Sequence, residues 1–402
     1  MTPASGEMVA SPLPVGSPLP VGSPLPPMVV PDYGTSTLAE LMPGVGARLG
    51  VPGYHDDILG LPDARRYVVV LVDGLGWHAV RRNLRRAPYL ASLLGDATAI
   101  TSGVPSTTAT SLASLGTGLP PGLHGLVGYT SRVPQTGEIL NALTWESDLV
   151  ARAYQPKPTF FERAVEAGVS VTSVGLERFA VSGLTEAVLR GPAFAAFEHE
   201  RDEEQRIALV AEAALAGSRS IVYAYERELD HTGHVQGWES ADWLAQLGRI
   251  DALCERLRDA LDDDVRLLIT GDHGMVDVPA ERQIVAEDVP DLMAGVSAIA
   301  GEGRFRQLYV DAEAGGQPVD AVAARWRGLL GDRAWVRTRA EAIDEGWFGP
   351  VDPEISERYG HLLVAMRAPW AVMTRQFPRE LTLVGMHGSL TPDEMLVPLF
   401  RD

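Results

Sequence analysis

Three apolar, β-branched runs in this chain end on acidic or imidazole side chains, and this constrains the fold more than any other feature. Residues 67–72 (YVVVLV) lead into Asp73-Gly74. Residues 220–225 (SIVYAY) are followed by Asp230 and His234. Residues 265–270 (VRLLIT) lead into Asp272-His273-Gly274. Runs of this length and composition read as buried strands. In open α/β sheets, ligands bind beyond the carboxyl ends of the strands. Mixed carboxylates and imidazoles at one such edge suit zinc or a similar divalent metal. With a late His387 in Gly-Met-His-Gly the chain offers six such ligands. Six suit two metals, and a two-metal site points to hydrolysis or transfer at phosphorus.

The remaining pattern supports a βαβ arrangement. Further strands are expected at 97–101, 169–175, 306–310 and 361–366. Helical patterns fall at 77–94, 159–167, 202–216, 239–261 and 318–330. Strands alternating with helices imply an α/β fold with a central, mostly parallel sheet and helices on both faces. Residues 279–380 separate Asp272-His273 from His387 and have strands and a helix of their own, so they are expected to form an inserted lid or cap subdomain. The catalytic domain is expected to span 33–402, beginning with a capped short helix. Residues 1–32 are expected to be a disordered Pro-rich tail, because 11–26 repeat SPLPVG, an extended and semi-rigid composition. A docking arm for a proline-recognising partner is one reading of the tail, and a dispensable leader is the preferred one.

Composition excludes several classes. The net charge of −19 argues against a nucleic-acid groove, which needs a basic surface. It leaves small phosphorylated substrates open, because bound metals invert the local field. No apolar run approaches the ~20 residues of a membrane span, and the N-terminus lacks the regions of a signal peptide. With one cysteine, Cys254, no intramolecular disulfide forms. A cytoplasmic location is the default expectation.

Each motif has a plainer alternative when taken alone. Asp272-His273-Gly274 could be an Asx-type turn. Asp73 and Asp230 could be helix caps, and His387 a loop histidine. Asp230 and His234 share one face if their segment is helical. Residues 103–111 (GVPSTTATS) place Ser106, Thr107, Thr108, Thr110 and Ser111 at a turn-to-helix junction. There, free backbone N–H groups and the positive dipole end favour a phosphoryl group, although capping alone would explain hydroxyls at that position.

Order and spacing strengthen the reading. The series is Asp73, Pro105-Ser106-Thr107-Thr108, Asp230-x-x-Gly-His234, Asp272-His273-Gly274 and a distal His387. It resembles the alkaline phosphatase superfamily, within it the type I phosphodiesterase/nucleotide pyrophosphatase family. Thr117-Gly118-Leu119-Pro120-Pro121-Gly122-Leu123-His124-Gly125 and Tyr225, five positions before Asp230, match that branch. The resemblance covers roughly 67–277 and 380–400. It implies one zinc at Asp73, Asp272 and His273, and a second at Asp230, His234 and His387. It implies a threonine nucleophile at Thr108, with Thr107 as runner-up, and hydrolysis of phosphodiester or pyrophosphate bonds through a phosphothreonine. The implied partner is a small phosphorylated substrate, nucleotides among the candidates.

One position departs from the pattern. Family diesterases often carry an asparagine just after HG-x-x-G that helps hold the phosphoryl oxygen; this chain has Tyr129 there, a catalytic candidate whose longer side chain offers a hydroxyl donor, and Asn141 is a distant polar alternative. A phosphomonoesterase or phosphonate hydrolase on the same metal core is therefore the alternative enzyme, with Arg132, Arg178, Lys157 and Arg227 as candidate cations. A sulfatase is disfavoured because Cys254 lies in Ala-Leu-Cys-Glu-Arg, and a mutase because it needs a serine nucleophile. The non-enzyme alternative is a degenerate metal-binding module.

Overall fold

The computed structural model describes residues 25–311 and 318–402. The body strands are β1 (Arg66–Val72), β2 (Thr98–Thr101), β3 (Ser170–Leu176), β4 (Ala193–Phe197), β5 (Ser220–Glu226) and β6 (Val265–Gly271). Those of the inserted region are β7 (Val296–Glu302), β8 (Phe305–Val310), β9 (Ala334–Thr338) and β10 (Leu362–Met366), and the chain closes with β11 (Leu396–Arg401). The main helices are α1 (Leu41–Leu49), α2 (Thr108–Thr117), α3 (Phe160–Glu166), α4 (Gly183–Val188), α5 (Glu203–Ala214), α6 (Glu228–Gln236), α7 (Ala241–Ala260) and α8 (Val319–Leu330).

Seven strands form one sheet in the order β2-β11-β6-β1-β5-β3-β4. The pairs among β6, β1, β5, β3 and β4 are all parallel, and β11 alone runs antiparallel to both its neighbours. Alternation along β1 shows why both faces need cover. Tyr67, Val69 and Leu71 enter one core with residues of α1, α2, α3 and α4. Val68, Val70 and Val72 enter the other with residues of α5 and α7. The expected α/β architecture is thus observed.

Two sequence expectations need correction. The helix at 77–94 is broken into Trp77–Arg82, a 3-10 turn Leu84–Arg86 and Pro88–Ser92. Pro88 lacks an N–H and disfavours helical backbone in the residue before it; Ala87 accordingly sits at φ −130°, ψ 67°. The tail does not run free to residue 32: the Val29 N–H donates to the Leu390 carbonyl, and Leu25, Met28 and Val29 pack on apolar clusters of the body and insert. The repeat up to residue 24 lies outside the described residues. Strand β11 escaped notice because Pro398 interrupts it. Pro398 pairs with Ala99 of β2, while pairing to β6 begins only at Leu399.

The 279–380 segment carries a four-stranded antiparallel sheet, β7-β8-β10-β9, with a core around Trp326, Leu308 and Val364. A buried ion pair ties it to the body. Arg304, between β7 and β8, grips Glu394 with two bonds of 2.7 Å, and neither side chain is exposed. Arg304 also donates to the carbonyls of Met366, Ala368 and Trp370, and Glu394 accepts from the Ser389 N–H and the Thr391 hydroxyl. Breaking such a pair leaves an uncompensated buried charge. Glu394→Ala is expected to destabilise the protein by about 3–5 kcal/mol in urea unfolding. Arg304→Met/Glu394→Leu should recover only part of that, because three carbonyls lose their donor.

Candidate active site

The carboxyl ends of β1, β5 and β6 meet at one edge of the sheet. The Asp73 N–H continues the parallel ladder by donating to the Glu226 carbonyl at 2.8 Å. Gly74 then turns at φ +75°, where a Cβ would lie 3.0 Å from the Asp230 Cβ. Asp272 follows β6, and its Oδ1 accepts the Gly74 and His273 N–H groups, each at 3.0 Å. Two residues after β5, α6 begins. Its i,i+4 spacing stacks Asp230 and His234 with 3.3 Å between Oδ2 and Nε2. His387 arrives after the inserted segment. Gly388 sits at φ +121°, and a Cβ there would meet the Glu302 side chain at 2.8 Å.

All three imidazoles are oriented the same way. Nδ1 of His234, His273 and His387 faces the carbonyls of Gly385, Gly274 and Ser106 at 2.8, 3.0 and 2.9 Å. A carbonyl only accepts, so each Nδ1 carries a proton and each Nε2 is the ring nitrogen turned toward the carboxylates. A metal-ligating histidine commonly donates its other ring N–H to a carbonyl in this way. Two groups result, Asp73/Asp272/His273 and Asp230/His234/His387, each with ligand atoms within 4.8 Å of one another. They adjoin through the His273 and His387 rings, stacked 3.6 Å apart.

Electrostatics make cations the natural completion. Burial, together with the negative charge of Asp73, raises the Asp230 and Asp272 carboxyls well above the usual range. Burial opposes the Asp73 carboxylate too, but its hydrogen bond and charge pairing with His273 outweigh that and hold it low. His273 is raised well above its ordinary value because Asp272 and Asp73 overcome the burial that would lower it. His387 is pushed well down by burial and then by the charge of His273. Asp230 Oδ1 and Asp272 Oδ2 are buried with no hydrogen-bond partner. Three carboxylates and three neutral imidazoles would carry a formal charge of minus three, which two divalent ions would turn into plus one. Donor chemistry, orphaned oxygens and charge all fit such ions.

The hydroxyl candidates lie beside this centre. Thr108, the first residue of α2, has its Oγ1 3.2 Å from His273 Nε2 and 3.4 Å from Asp73 Oδ1. Thr107, one residue earlier, is engaged with Glu302 instead. Tyr129 lines the same cavity, and its hydroxyl accepts from the Asn141 amide at 2.9 Å. Asn141, far away in sequence, thus fixes the tyrosine that replaces the expected asparagine. His124 is structural: Nδ1 accepts the Leu126 N–H and Nε2 faces Ser114 Oγ at 3.1 Å, while burial lowers its pKa to about 3. Sequence reasoning missed Glu302, 3.6 Å from His387 Nδ1 and pushed well up by burial. Its signal was the one used for Asp73, a carboxylate ending an apolar run, here Ser297-Ala-Ile-Ala-Gly-Glu302. It also missed the Tyr225 hydroxyl, which donates to Asp73 Oδ2.

Comparisons with known proteins identify the family and the fold. The family described as type I phosphodiesterase / nucleotide pyrophosphatase matches residues 67–390. Murine ectonucleotide pyrophosphatase / phosphodiesterase 5, in an inactive form in complex with AMP, has a similar fold at TM-score 0.65 and 17% identity, covering 83% of this chain and 87% of that one. Phosphonoacetate hydrolase from Sinorhizobium meliloti 1021, in complex with phosphonoformate, superposes at TM-score 0.66 and 18% identity, covering 85% and 91%. The phosphopentomutase of Shewanella pealeana is 29% identical over 159 residues, 39% of this chain and 36% of that protein, so the chain spans little more than a third of that relative's length. No helix among the described residues is long and apolar enough to cross a membrane.

The raised carboxyls give a signed pH dependence. Because both carboxyls are raised, a cation competes with protons for Asp230 and Asp272. Zinc affinity is expected to rise from pH 5.5 to 7.5 with proton release, read by calorimetry in buffers of different ionisation enthalpy. Asp272→Asn should reduce both the affinity and the proton count.

Proposed function

The chain belongs to the type I phosphodiesterase/nucleotide pyrophosphatase family of phosphoric-ester hydrolases, and from that premise we propose that it cleaves phosphodiester or pyrophosphate bonds with two zinc ions and a Thr108 nucleophile. What supports the reading above all is one juxtaposition. The Thr108 hydroxyl lies at a helix N-terminus beside two adjoining trios of metal-type ligands, with each imidazole turning its Nε2 toward them.

Asp73, Asp272 and His273 would hold one ion, and Asp230, His234 and His387 the other. When bound, the pair supplies positive charge that favours an alkoxide and stabilises the non-bridging oxygens. The chain does the rest. Thr108 Oγ1 bonds to phosphorus as the bond to the leaving oxygen breaks, and water then cleaves the phosphothreonine. Free N–H groups at the start of α2 face the phosphoryl oxygens. The Tyr129 hydroxyl, already accepting from Asn141, keeps its own proton to donate. Tyr225 fixes Asp73, and the carbonyls on the three Nδ1 atoms fix the imidazoles. A net plus one at the centre matches a diester monoanion. The fold shared with phosphonoacetate hydrolase makes phosphonate cleavage the second reading.

The test compares bis-p-nitrophenyl phosphate with p-nitrophenyl phosphate, with zinc and after chelation. Zinc-dependent preference for the diester is expected, with kcat falling at least ~10³-fold in Thr108→Ala but far less in Thr107→Ala. Preference for the monoester would move the function to a phosphatase. Full activity of Thr108→Ala would remove the covalent mechanism, and activity on phosphonoacetate alone would establish the second reading.

A further inference from the structure

The cavity that contains Thr108 does not end at the metal-type ligands. It has a volume of about 380 Å³ and runs from them across the sheet face to Phe194, Ser173 and Tyr223. These three are registered neighbours on β4, β3 and β5, so they form a row on one face of the parallel sheet. Leu112 of α2, Leu184 of α4 and Leu189 wall this compartment, and none of these six side chains carries a charge.

Two polar atoms stand out within it. Ser173 Oγ and the Tyr223 hydroxyl are buried without any hydrogen-bond partner, in side chains only 5% and 3% exposed. Leaving a buried hydroxyl unpaired costs about 1–3 kcal/mol, so two such hydroxyls on registered neighbours lining one cavity point to a ligand that bonds to them. Tyr225 provides the contrast. It lies two residues further along β5 and spends its hydroxyl on Asp73. Tyr223 is therefore about 6.6 Å back from the ligand edge along the strand, which is the span of an aromatic or alicyclic ring. Burial holds its phenol well above the ordinary pKa, so it remains a neutral donor and acceptor.

We propose that the compartment over Phe194, Ser173 and Tyr223 holds the organic group of the phosphoric ester, and that this group is an uncharged, ring-sized apolar alcohol with one hydrogen-bonding substituent at its far end. The inference rests on the phosphoryl-transfer reading, whose substrate class it narrows. Arg227 and Arg379 line the same cavity, but a polyphosphate or carboxylate tail finds no counter-charge on the row or its leucine walls. An unsubstituted hydrocarbon leaves both hydroxyls unpaired.

The test uses p-nitrophenyl diesters of the zinc-loaded full chain in which the second ester group is methyl, 2-naphthyl or 6-hydroxy-2-naphthyl. In the wild type, kcat/KM is expected to rise at least about tenfold from methyl to naphthyl, and at least about tenfold again with the hydroxyl. In Ser173→Ala/Tyr223→Phe the hydroxyl ratio should fall towards one. Because it is a ratio within one variant, it is insensitive to loss of folded protein. Equal rates for methyl and naphthyl esters, or an unchanged hydroxyl ratio in the double variant, would overturn the proposal. Fluorescence titration with 2,6-dihydroxynaphthalene, which has no phosphorus, separates the two readings. Binding that weakens at least fivefold in the double variant, without turnover of any ester, would sink the phosphoryl-transfer reading and leave the compartment standing. Turnover indifferent to the second group, with no diol binding, would do the reverse.

Discussion

The buried Arg304–Glu394 pair is the contact on which the site's geometry depends. Both side chains are fully removed from solvent, so their charges are tolerable only while each satisfies the other. Arg304 belongs to the inserted sheet, and Glu394 lies seven residues beyond His387, in the segment that leads into β11. The pair therefore fixes at once where the insert sits and where the returning chain runs. Ser389 and Thr391 bind the same carboxylate, so the loop from His387 to β11 is pinned at several points. The His387 Nδ1 bond to the Ser106 carbonyl then ties that loop to the turn preceding Thr108.

The site holds electrostatic tension that its own groups relieve only in part, His273 and Tyr225 at Asp73. Asp73, Asp230 and Asp272 converge where no arginine or lysine pairs with them, and the backbone N–H groups on Asp272 Oδ1 satisfy only half of that carboxylate. A purely structural cluster would pair its carboxylates with cations, as the insert does at Arg306–Glu380. Here every imidazole spends its Nδ1 proton on a carbonyl and turns Nε2 toward the carboxylates. A bound positive charge is favoured by both choices.

Much of this was legible in the sequence, for physical reasons that can be named. Long apolar runs ending in Asp73 or Asp272 are costly unless the carboxylate has a partner, so they marked the sheet and its functional edge together. The i,i+4 spacing of Asp230 and His234 was readable because α6 is a regular helix. What escaped depended on long-range pairing. Nothing local announces that Thr107 will meet Glu302, that Asn141 will hold Tyr129, or that LVPLFR will form a central strand despite Pro398. The break at Pro88 was present in the sequence, but an amphipathic pattern running through it hid it. The compartment floor is invisible in sequence for a similar reason: Phe194, Ser173 and Tyr223 become neighbours only through the register of three strands.

The route of the chain gives the two ligand trios different histories. Asp73, Asp272 and His273 all come from the ends of parallel strands, so pairing of the body sheet completes that trio. The other lacks His387 until the chain has built the insert and returned. A cation at the later trio would therefore bind most tightly when the chain beyond residue 380 is docked on the body, so its affinity would report on that docking.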